Sequence, residues 1–322
     1  MDFHRRVQII LKPNSFPRAT AVPSLHFEVR HPDAPLGAEI IGLDLSHDID
    51  AATFREIEKV FHERSVIWFR DQKLTPEQHV RFSQHFGEVE VPTNRQYSLA
   101  SCPEIYVVSN IVENGRNIGN ADAGRVWHTD SSYMQVPSRG SLLYAIEVPH
   151  GDNGQPLGDT CFASMTTAYD DLPDEVKKRA EGLRGVHNYT QQYERRLAKI
   201  KAQGGIREEL TGDLKAKVPD VVHPVIRTHP VTGRKCVYVS VSFVIKVLGI
   251  DKEEGLKLRD YLIEHSTQPR YVYRHQWRAG DFLMWDNCAT QHLAINDYAL
   301  PQRRLMYRTT VKGTAVPEGI YE

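Results

Sequence analysis

The sequence predicts a mainly β protein with flanking helices (α+β), on three observations. Short apolar runs recur in the second two thirds of the chain, at 105–108, 142–148, 237–241, 271–273, 281–285 and 304–312. Segments with Gly and Pro separate these runs, as turns separate short strands. Helical periodicity is limited to a few stretches between them. This pattern favours an all-β core with helical buttresses and leaves a sandwich and a jelly roll both open.

The N-terminal third contains two predicted helices. Apolar residues at three- and four-residue spacing predict the first helix over 50–63. Thr75, Pro76 and Gln78 predict the start of the second, because a threonine cap, a first-turn proline and a glutamine three residues after the cap form a capping box. We expect His79, within this helix, to be exposed to solvent.

The remaining chain divides into predicted helices, a polar segment and an N-terminal arm. Helices are expected at 168–183, with Pro173 allowed only near a boundary, and at 253–264. Charged residues dominate 191–220, and a polar insertion of this length is typical of a lid or a mobile loop. Residues 1–24 hold three prolines and no sustained period, so they are expected to form an arm. The range 25–322 is then a single domain.

The composition excludes several classes of protein. Lys and Arg number 40 against 41 Asp and Glu, a formal charge of −1, and nucleic-acid-binding proteins usually carry a basic excess. No apolar run reaches the roughly 18 residues of a membrane span, and no secretory signal is recognisable. The four cysteines are scattered, which favours reduced thiols. We therefore expect a cytoplasmic protein without nucleic-acid or membrane partners, and its near-zero charge does not oppose a homo-oligomer.

A candidate metal motif lies at His128 and Asp130. Residues two apart on an extended segment point to the same face, so this pair can supply two ligands to one ion. A distant histidine would complete the set, and His292 suits that role. Two histidines and one carboxylate with open coordination positions are typical of non-haem Fe(II) oxygenases.

The H-x-D pattern alone is weak evidence, because it occurs three times. His31 is followed by a proline in a turn-like stretch, and His150 begins a Gly- and Asn-rich turn. Only His128 follows an aromatic residue and precedes small residues that lead into an apolar strand. A structural hydrogen-bonded pair remains the alternative for 128 and 130.

Taken together, these motifs resemble the TauD/TfdA family of Fe(II)/2-oxoglutarate-dependent dioxygenases. The resemblance extends from about residue 25 to residue 313. It is carried, in the family's order, by LGAEIIGLDL (36–45), VIWFRDQ (66–72), FG (86–87), WHTD (127–130), GDT (158–160), HPVIRTHP (223–230), WDN and QH (285–287, 291–292) and QRRLMYR (302–308). The family fold implied by the resemblance is a double-stranded β-helix, that is, a jelly roll with helices packed outside.

The resemblance also implies the metal centre and the co-substrates. His128, Asp130 and His292 are expected to hold Fe(II), with 2-oxoglutarate and O2 occupying the open positions. The far carboxylate of 2-oxoglutarate would pair with Arg304, assisted by the hydroxyl of Thr160. A bidentate arginine suits a carboxylate.

Strand geometry favours Arg304 over its neighbour Arg303. If 304–308 is a strand, then 304, 306 and 308 share a face, and the two arginines on that face lie about 13 Å apart at roughly 3.3 Å per residue. Arg308 would then lie nearer the iron, and by the resemblance it contacts the substrate anion. Taurine enzymes carry a polar substrate contact where this chain has Gly124, which argues against taurine itself.

The predicted activity is hydroxylation of a C–H bond in a small organic anion: a sulfonate, sulfate ester, phenoxy-carboxylate or phosphonate. Succinate and CO2 would be the co-products. Two alternatives stay open: a desaturation or other oxidation on the same iron, and a catalytically silent protein that binds 2-oxoglutarate or metal. By the resemblance, a dimer or tetramer is expected.

Overall fold

The computed structural model describes residues 27–92, 95–202 and 209–319, so the predicted arm at 1–24 lies outside the described residues. Within these ranges the strands are β1 Glu28–Arg30, β2 Ala38–Ile41, β3 Val66–Phe69, β4 Ser98–Leu99, β5 Cys102–Ser109, β6 Val112–Glu113, β7 Arg116–Asn117, β8 Gly140–Glu147, β9 Thr160–Ser164, β10 Arg184–His187, β11 Val221–Pro224, β12 Ile226–Thr228, β13 Lys235–Val237, β14 Val244–Leu248, β15 Val272–His275, β16 Phe282–Asp286, β17 Thr290–Ala294, β18 Leu305–Val311 and β19 Glu318–Gly319. The helices are α1 Ala51–Arg64, α2 Pro76–Gln84, α3 Met165–Asp170, α4 Asp174–Ala180, α5 Tyr189–Ala202, α6 Gly212–Lys217 and α7 Lys252–Ser266. No helix among the described residues has both the length and the apolar content needed to cross a membrane.

The largest element is an eight-stranded sheet of order β1-β2-β3-β16-β8-β18-β5-β4. Its strands pair antiparallel except β2 and β3. Along β16 the side chains alternate: Phe282 and Met284 enter one core cluster, Leu283 and Trp285 another. The sheet is therefore covered on both faces.

Helices α1 and α2 cover one face of this sheet. Ile57 and Phe61 of α1 and Phe82 of α2 are buried against Phe69 and Phe282 of the sheet. The apolar residues at helical spacing in the sequence are those that make this contact, which explains why the segments fold as amphipathic helices.

The opposite face packs against a three-stranded sheet of order β15-β9-β17. Phe162 of β9 lies in one buried cluster with Leu143, Trp285 and Met306 of the large sheet. In β18, Met306 is in this cluster, whereas Tyr307 packs on the helical side. Met306 therefore lies on the face between the two sheets, and Arg308, two residues further along β18, shares that face. Arg304 lies just before the strand, whose pairing with β8 is irregular between Leu305 and Met306.

The predicted class, mainly β with flanking helices, is confirmed, and so are both N-terminal helices. The α2 cap has the expected capping box, with Thr75 accepting from the N–H of Gln78 and the Gln78 side chain accepting from the N–H of Thr75. The helix predicted over 168–183 is wrong as a single element. It is interrupted before α4 at Pro173, which lacks an N–H and disfavours a helical conformation in the residue before it.

Three other expectations need correction. The strand predicted at 237–241 ends at Val237. His79 is fully buried rather than solvated, and its Nε2 lies 3.0 Å from the Thr309 hydroxyl. The polar segment at 191–220, expected as a lid or mobile loop, is largely helical where the structure describes it, in α5 and α6. Its role as a lid stays a prediction.

Candidate metal centre

Backbone pairing brings the two candidate histidine ligands together. The N–H of His128 donates to the carbonyl of His292 at 3.2 Å, and the N–H of His292 donates back at 2.8 Å. His292 lies in the middle of β17, and the segment of His128 forms an isolated antiparallel bridge to it. The two imidazole rings are 4.0 Å apart between centroids.

Asp130 completes a three-residue cluster. Potential ligand atoms of His128, Asp130 and His292 all lie within 4.8 Å of one another, and Nε2 of His128 is 3.6 Å from Oδ1 of Asp130. Ser131 then takes a left-handed backbone conformation, with φ of 56°, which ends the extended segment directly after Asp130. The donor set is the two-histidine, one-carboxylate combination that suits non-haem iron.

The electrostatics keep Asp130 and His292 in their metal-binding protonation states. Burial would raise the pKa of Asp130, but the neighbouring Arg308 guanidinium is the largest of the effects that outweigh it and hold that pKa well below its ordinary value. Burial, followed by the neighbouring His128, holds the pKa of His292 well below its ordinary value. The site therefore offers a carboxylate and a neutral imidazole, the forms that bind metal.

The hydrogen bonds of His128 favour the tautomer that binds metal. Nδ1 lies 2.8 Å from the carbonyl oxygen of Val126, which can only accept, so Nδ1 carries the proton. Nε2 then has a free lone pair that faces Asp130. A second partner on the far ring nitrogen is the usual way proteins orient a histidine ligand.

A second cluster has the same composition and consists of His62, His229 and Asp286. In this cluster no histidine lone pair faces the carboxylate. Nδ1 of His229 accepts from the backbone N–H groups of Val231 and Thr232, so Nε2 carries the proton and donates it to Asp286 at 2.8 Å. Nε2 of His62 accepts from Arg139 at 3.0 Å, which places the proton on Nδ1, the atom facing Asp286. Both nitrogens that face the carboxylate are protonated, so this cluster is a hydrogen-bonded structural unit.

The other two H-x-D pairs are not part of either cluster among the described residues. Nδ1 of His150 lies 2.9 Å from the carbonyl oxygen of Val148, and the His150 backbone bridges Pro156 in a turn. Of the three pairs, the structure thus brings a further ligand only to His128 and Asp130, the pair that sequence context favours.

Arg304 is buried and keeps one guanidinium nitrogen without a partner among the described residues. Its side chain is 3% exposed and its Nε has no hydrogen-bond partner in the described part of the chain. Burial lowers the pKa of Arg304. Gly158 makes room for it: a Cβ there would lie 3.2 Å from Nε, and the φ of +76° also favours glycine. An orphaned buried guanidinium nitrogen is the feature expected of an anion site whose ligand is a carboxylate.

Thr160 is buried, and its hydroxyl oxygen already accepts one hydrogen bond. The indole N–H of Trp277, itself fully buried, donates to Oγ1 of Thr160 at 3.0 Å. Because tryptophan can only donate, the Thr160 proton stays available for a second acceptor. No sequence pattern points to Trp277, whose role depends on folding over a separation of 117 residues.

Arg308 lies at the metal cluster, away from Arg304. Its Nη1 is 3.6 Å from Oδ1 of Asp130, and its guanidinium lies over the ring of Tyr106 at 5.1 Å. Its Nε is buried without a partner among the described residues. Arg308 therefore has donor capacity next to the metal cluster.

An aromatic group beside His128 is missed by sequence reasoning. Phe243 meets the His128 ring edge-on at 6.4 Å, Tyr133 packs on Phe243 at 4.9 Å, and Tyr189 of α5 packs on Tyr133 at 4.5 Å between centroids. These residues come from separate segments, so no local pattern in the sequence links them.

Comparison with known proteins finds similarity along most of the chain. The family described as "Taurine catabolism dioxygenase TauD, TfdA family" matches residues 28–310. An alpha-ketoglutarate-dependent 2,4-dichlorophenoxyacetate dioxygenase of Burkholderia sp. (strain RASC) is 33% identical over 301 residues, covering 90% of this chain and 95% of the relative. An alpha-ketoglutarate-dependent sulfate ester dioxygenase of Pseudomonas putida is 30% identical, covering 94% of each chain.

Among solved structures, AAD-2 in complex with Mn(II) and N-oxalylglycine superposes with a TM-score of 0.71 at 32% identity, covering 90% of this chain and 98% of that one. The chain belongs to the TauD/TfdA family. The prediction of an alpha-ketoglutarate-dependent dioxygenase is thereby confirmed at the level of family and enzyme class.

Proposed function

We propose that the protein is an Fe(II)- and 2-oxoglutarate-dependent dioxygenase that hydroxylates a C–H bond of a small organic anion, releasing succinate and CO2. The observation that carries this proposal is the convergence of His128, Asp130 and His292, with a lone pair on His128 facing the carboxylate. The intact carboxylate and the orphaned Arg304 argue against a silent binding protein.

Each role is assigned to a residue whose environment supports it. His128, Asp130 and His292 would hold Fe(II), which with 2-oxoglutarate and O2 supplies the oxidising chemistry. Arg304 would pair with the far carboxylate of 2-oxoglutarate, and Thr160 would donate its free hydroxyl proton to the same group. Burial of both residues excludes water from that contact and strengthens it.

The substrate class follows from what lies beside the metal cluster. Arg308 offers a cation to a sulfonate, sulfate ester, carboxylate or phosphonate. Phe243, Tyr133 and Tyr189 form an apolar wall next to His128, which suits the carbon body of such an anion. Relatives named for 2,4-dichlorophenoxyacetate and for sulfate esters support the same range. Arg308 would fix the anion while the wall orients the C–H bond to be oxidised.

We also infer the larger-scale organisation. The large sheet and the β15-β9-β17 sheet, packed around Phe162 and Trp285, fit the two halves of a jelly roll within one domain spanning 25–322. A cytoplasmic location and a homo-oligomer are part of this proposal, supported by the charge balance of the chain.

The proposal is tested by following succinate formation from 2-oxoglutarate in air, with protein purified without oxygen and supplied with Fe(II). Phenoxyacids, alkyl sulfates, sulfonates and phosphonates form the substrate panel. We expect succinate from wild type, stimulated by one substrate class, and none from His128→Ala. His150→Ala, which alters the H-x-D pair outside the cluster, is the matched control and retains activity.

The outcomes separate the alternatives. An oxidised product carrying a hydroxyl, or its breakdown products, supports hydroxylation, and an alkene product supports desaturation. Iron binding without succinate under any condition favours the silent binder. Loss of activity in His150→Ala equal to that in His128→Ala contradicts the assignment of the metal site.

A further inference from the structure

A buried hydrogen-bond network holds the carboxylate of Asp130. Its residues are not among the three candidate metal ligands. Ser141 of β8 donates its hydroxyl proton to Oδ2 of Asp130 at 2.7 Å. The Asn287 side chain donates to Oγ of Ser141 at 3.2 Å, and to Oγ of Ser138 at 3.0 Å. Ser141, Asn287 and Ser138 are each at most 4% exposed.

The donor and acceptor roles in this hydrogen-bond network follow from the two N–H groups that face the Asn287 side chain. The indole N–H of Trp285 lies 2.9 Å from Oδ1 of Asn287 and the backbone N–H of Asp130 lies 3.4 Å from it, and both can only donate. The atom they face must therefore be the amide oxygen, and the amide nitrogen must face the two serines. Because Ser141 accepts from Asn287, its single proton is free to point at Asp130.

This hydrogen-bond network gives the two carboxylate oxygens of Asp130 different surroundings. Oδ2 is occupied by Ser141, whereas Oδ1 faces Nε2 of His128 and Nη1 of Arg308, each at 3.6 Å. A hydrogen bond from a neutral donor to one carboxylate oxygen orients the group and favours metal binding through the other oxygen. Without the Ser141 proton, the carboxylate could rotate and offer both oxygens.

We propose that Ser141, oriented by Asn287, is a positioning residue that makes Asp130 a one-oxygen metal ligand. The inference rests on the proposed metal centre and adds a residue to it. Asn287 also ties the segment of His128 and Asp130 to the end of β16, since its backbone carbonyl accepts from the Thr129 hydroxyl at 2.8 Å. Asn287 thus adds a second anchor to the segment, beside the backbone pairing of His128 with His292.

The test compares Ser141→Ala with Ser138→Ala in the full-length, metal-free protein. Both changes remove a buried hydroxyl that accepts from Asn287, but only Ser141 donates to the Asp130 carboxylate, whereas Ser138 donates to the Asp130 backbone carbonyl at 3.5 Å. We expect Ser141→Ala to weaken Mn(II) binding by about 10-fold or more, the usual scale for partners of metal ligands, and to change the visible absorption spectrum of bound Co(II). Ser138→Ala should change the Mn(II) dissociation constant much less, although both variants unfold at lower temperature.

A second pair of variants separates the loss of the hydroxyl from a change in packing. Ser141→Thr and Ser141→Val have nearly equal volume and differ in the hydroxyl, so Thr should retain Mn(II) affinity and Val should lose it. Equal affinity in Thr and Val, or in Ser141→Ala and wild type, overturns the role of Ser141. Wild-type protein that binds no Mn(II) contradicts instead the proposed metal centre on which the inference rests.

Discussion

At the scale of single residues, the two adjacent arginines just before β18 have opposite environments. Arg304 is buried with an orphaned Nε, whereas Arg303 is half exposed and pairs with Glu147 at 2.9 Å. A guanidinium that is buried without a carboxylate weakens the folded state until its ligand arrives. Tyr298 and Asp297 offset part of this cost, and a bound carboxylate would offset more of it.

This contrast leads to the first prediction. Arg304→Gln should weaken the apparent affinity for 2-oxoglutarate by about 10- to 100-fold, because a charge-assisted hydrogen bond contributes roughly 1.5–3 kcal/mol. The unfolding temperature of the ligand-free variant should not fall, since the change removes a buried charge and leaves no carboxylate unpaired. Steady-state kinetics and thermal unfolding measure both effects. Arg303→Gln serves as control and should leave this affinity unchanged; similar weakening in both variants would reject the assignment.

Hydrogen-bond direction also separates the two histidine clusters, and this is the second prediction. The protein should bind one Mn(II) per chain, lost in His128→Ala and retained in His62→Ala, because the nitrogens of His62 and His229 that face Asp286 carry protons. Equilibrium dialysis of metal-free protein measures the stoichiometry. Two Mn(II) per chain, or loss of binding in His62→Ala, would contradict the tautomers assigned from the hydrogen bonds.

At the scale of secondary-structure elements, local signals are predictable and long-range ones are not. The α2 cap can be predicted because Thr75, Pro76 and Gln78 act within one turn. The division of 168–183 into α3 and α4 depends on one proline against an otherwise helical pattern, and the periodicity alone misses it. A solvated His79 is a natural expectation for a helix with polar residues, but Thr309 of β18 supplies a partner that permits its burial.

At the metal cluster, too, local signals are predictable from sequence and long-range contacts are not. The H-x-D spacing and the resemblance point to His128, Asp130 and His292, and the fold brings them together. Ser141 and Trp277 carry no local signal, since each reaches its site residue only after distant segments have folded together. Partners of site residues are therefore the part that sequence patterns cannot supply.

Helix α5 connects the polar segment to the site, which leads to the third prediction. Tyr189 packs on Tyr133, which packs on Phe243 beside His128. Tyr189→Ala should raise the KM for the organic substrate by about 3- to 30-fold, as loss of one aromatic contact and its burial allows. The apparent affinity for 2-oxoglutarate should not change. Both quantities are measured by varying one substrate while the other is saturating.

Lys199→Ala, at an exposed position of the same helix, is the control for Tyr189→Ala and should alter neither quantity. Equal effects of the two changes would mean that α5 acts through its overall stability. If only the binding of 2-oxoglutarate became weaker, Tyr189 would not belong to the organic-substrate side of the metal centre.

At the scale of the whole molecule, buried histidines connect stability to pH. Burial lowers the pKa of His79 to about 3 and, together with His223 and Arg227, lowers the pKa of His187 to about 3. Both groups gain a proton near pH 6.5 once the chain unfolds, so the unfolded state binds more protons between these values. Their contribution to stability is complete above pH 6.5 and is lost progressively as the pH falls toward 3.

The fourth prediction follows from this sign. Below pH 6.5 each of the two histidines should lower the free energy of unfolding by up to about 1.4 kcal/mol per pH unit. His79→Gln, which can still hydrogen-bond to Thr309, removes one of these protons. Its free energy of unfolding should therefore lose about 1.6 kcal/mol less than that of wild type between about pH 6.5 and about pH 5. Urea unfolding across this range measures the difference, with His47→Gln at an exposed position as control. Parallel pH profiles for wild type and His79→Gln would show that His79 is protonated in the folded protein, contrary to its burial.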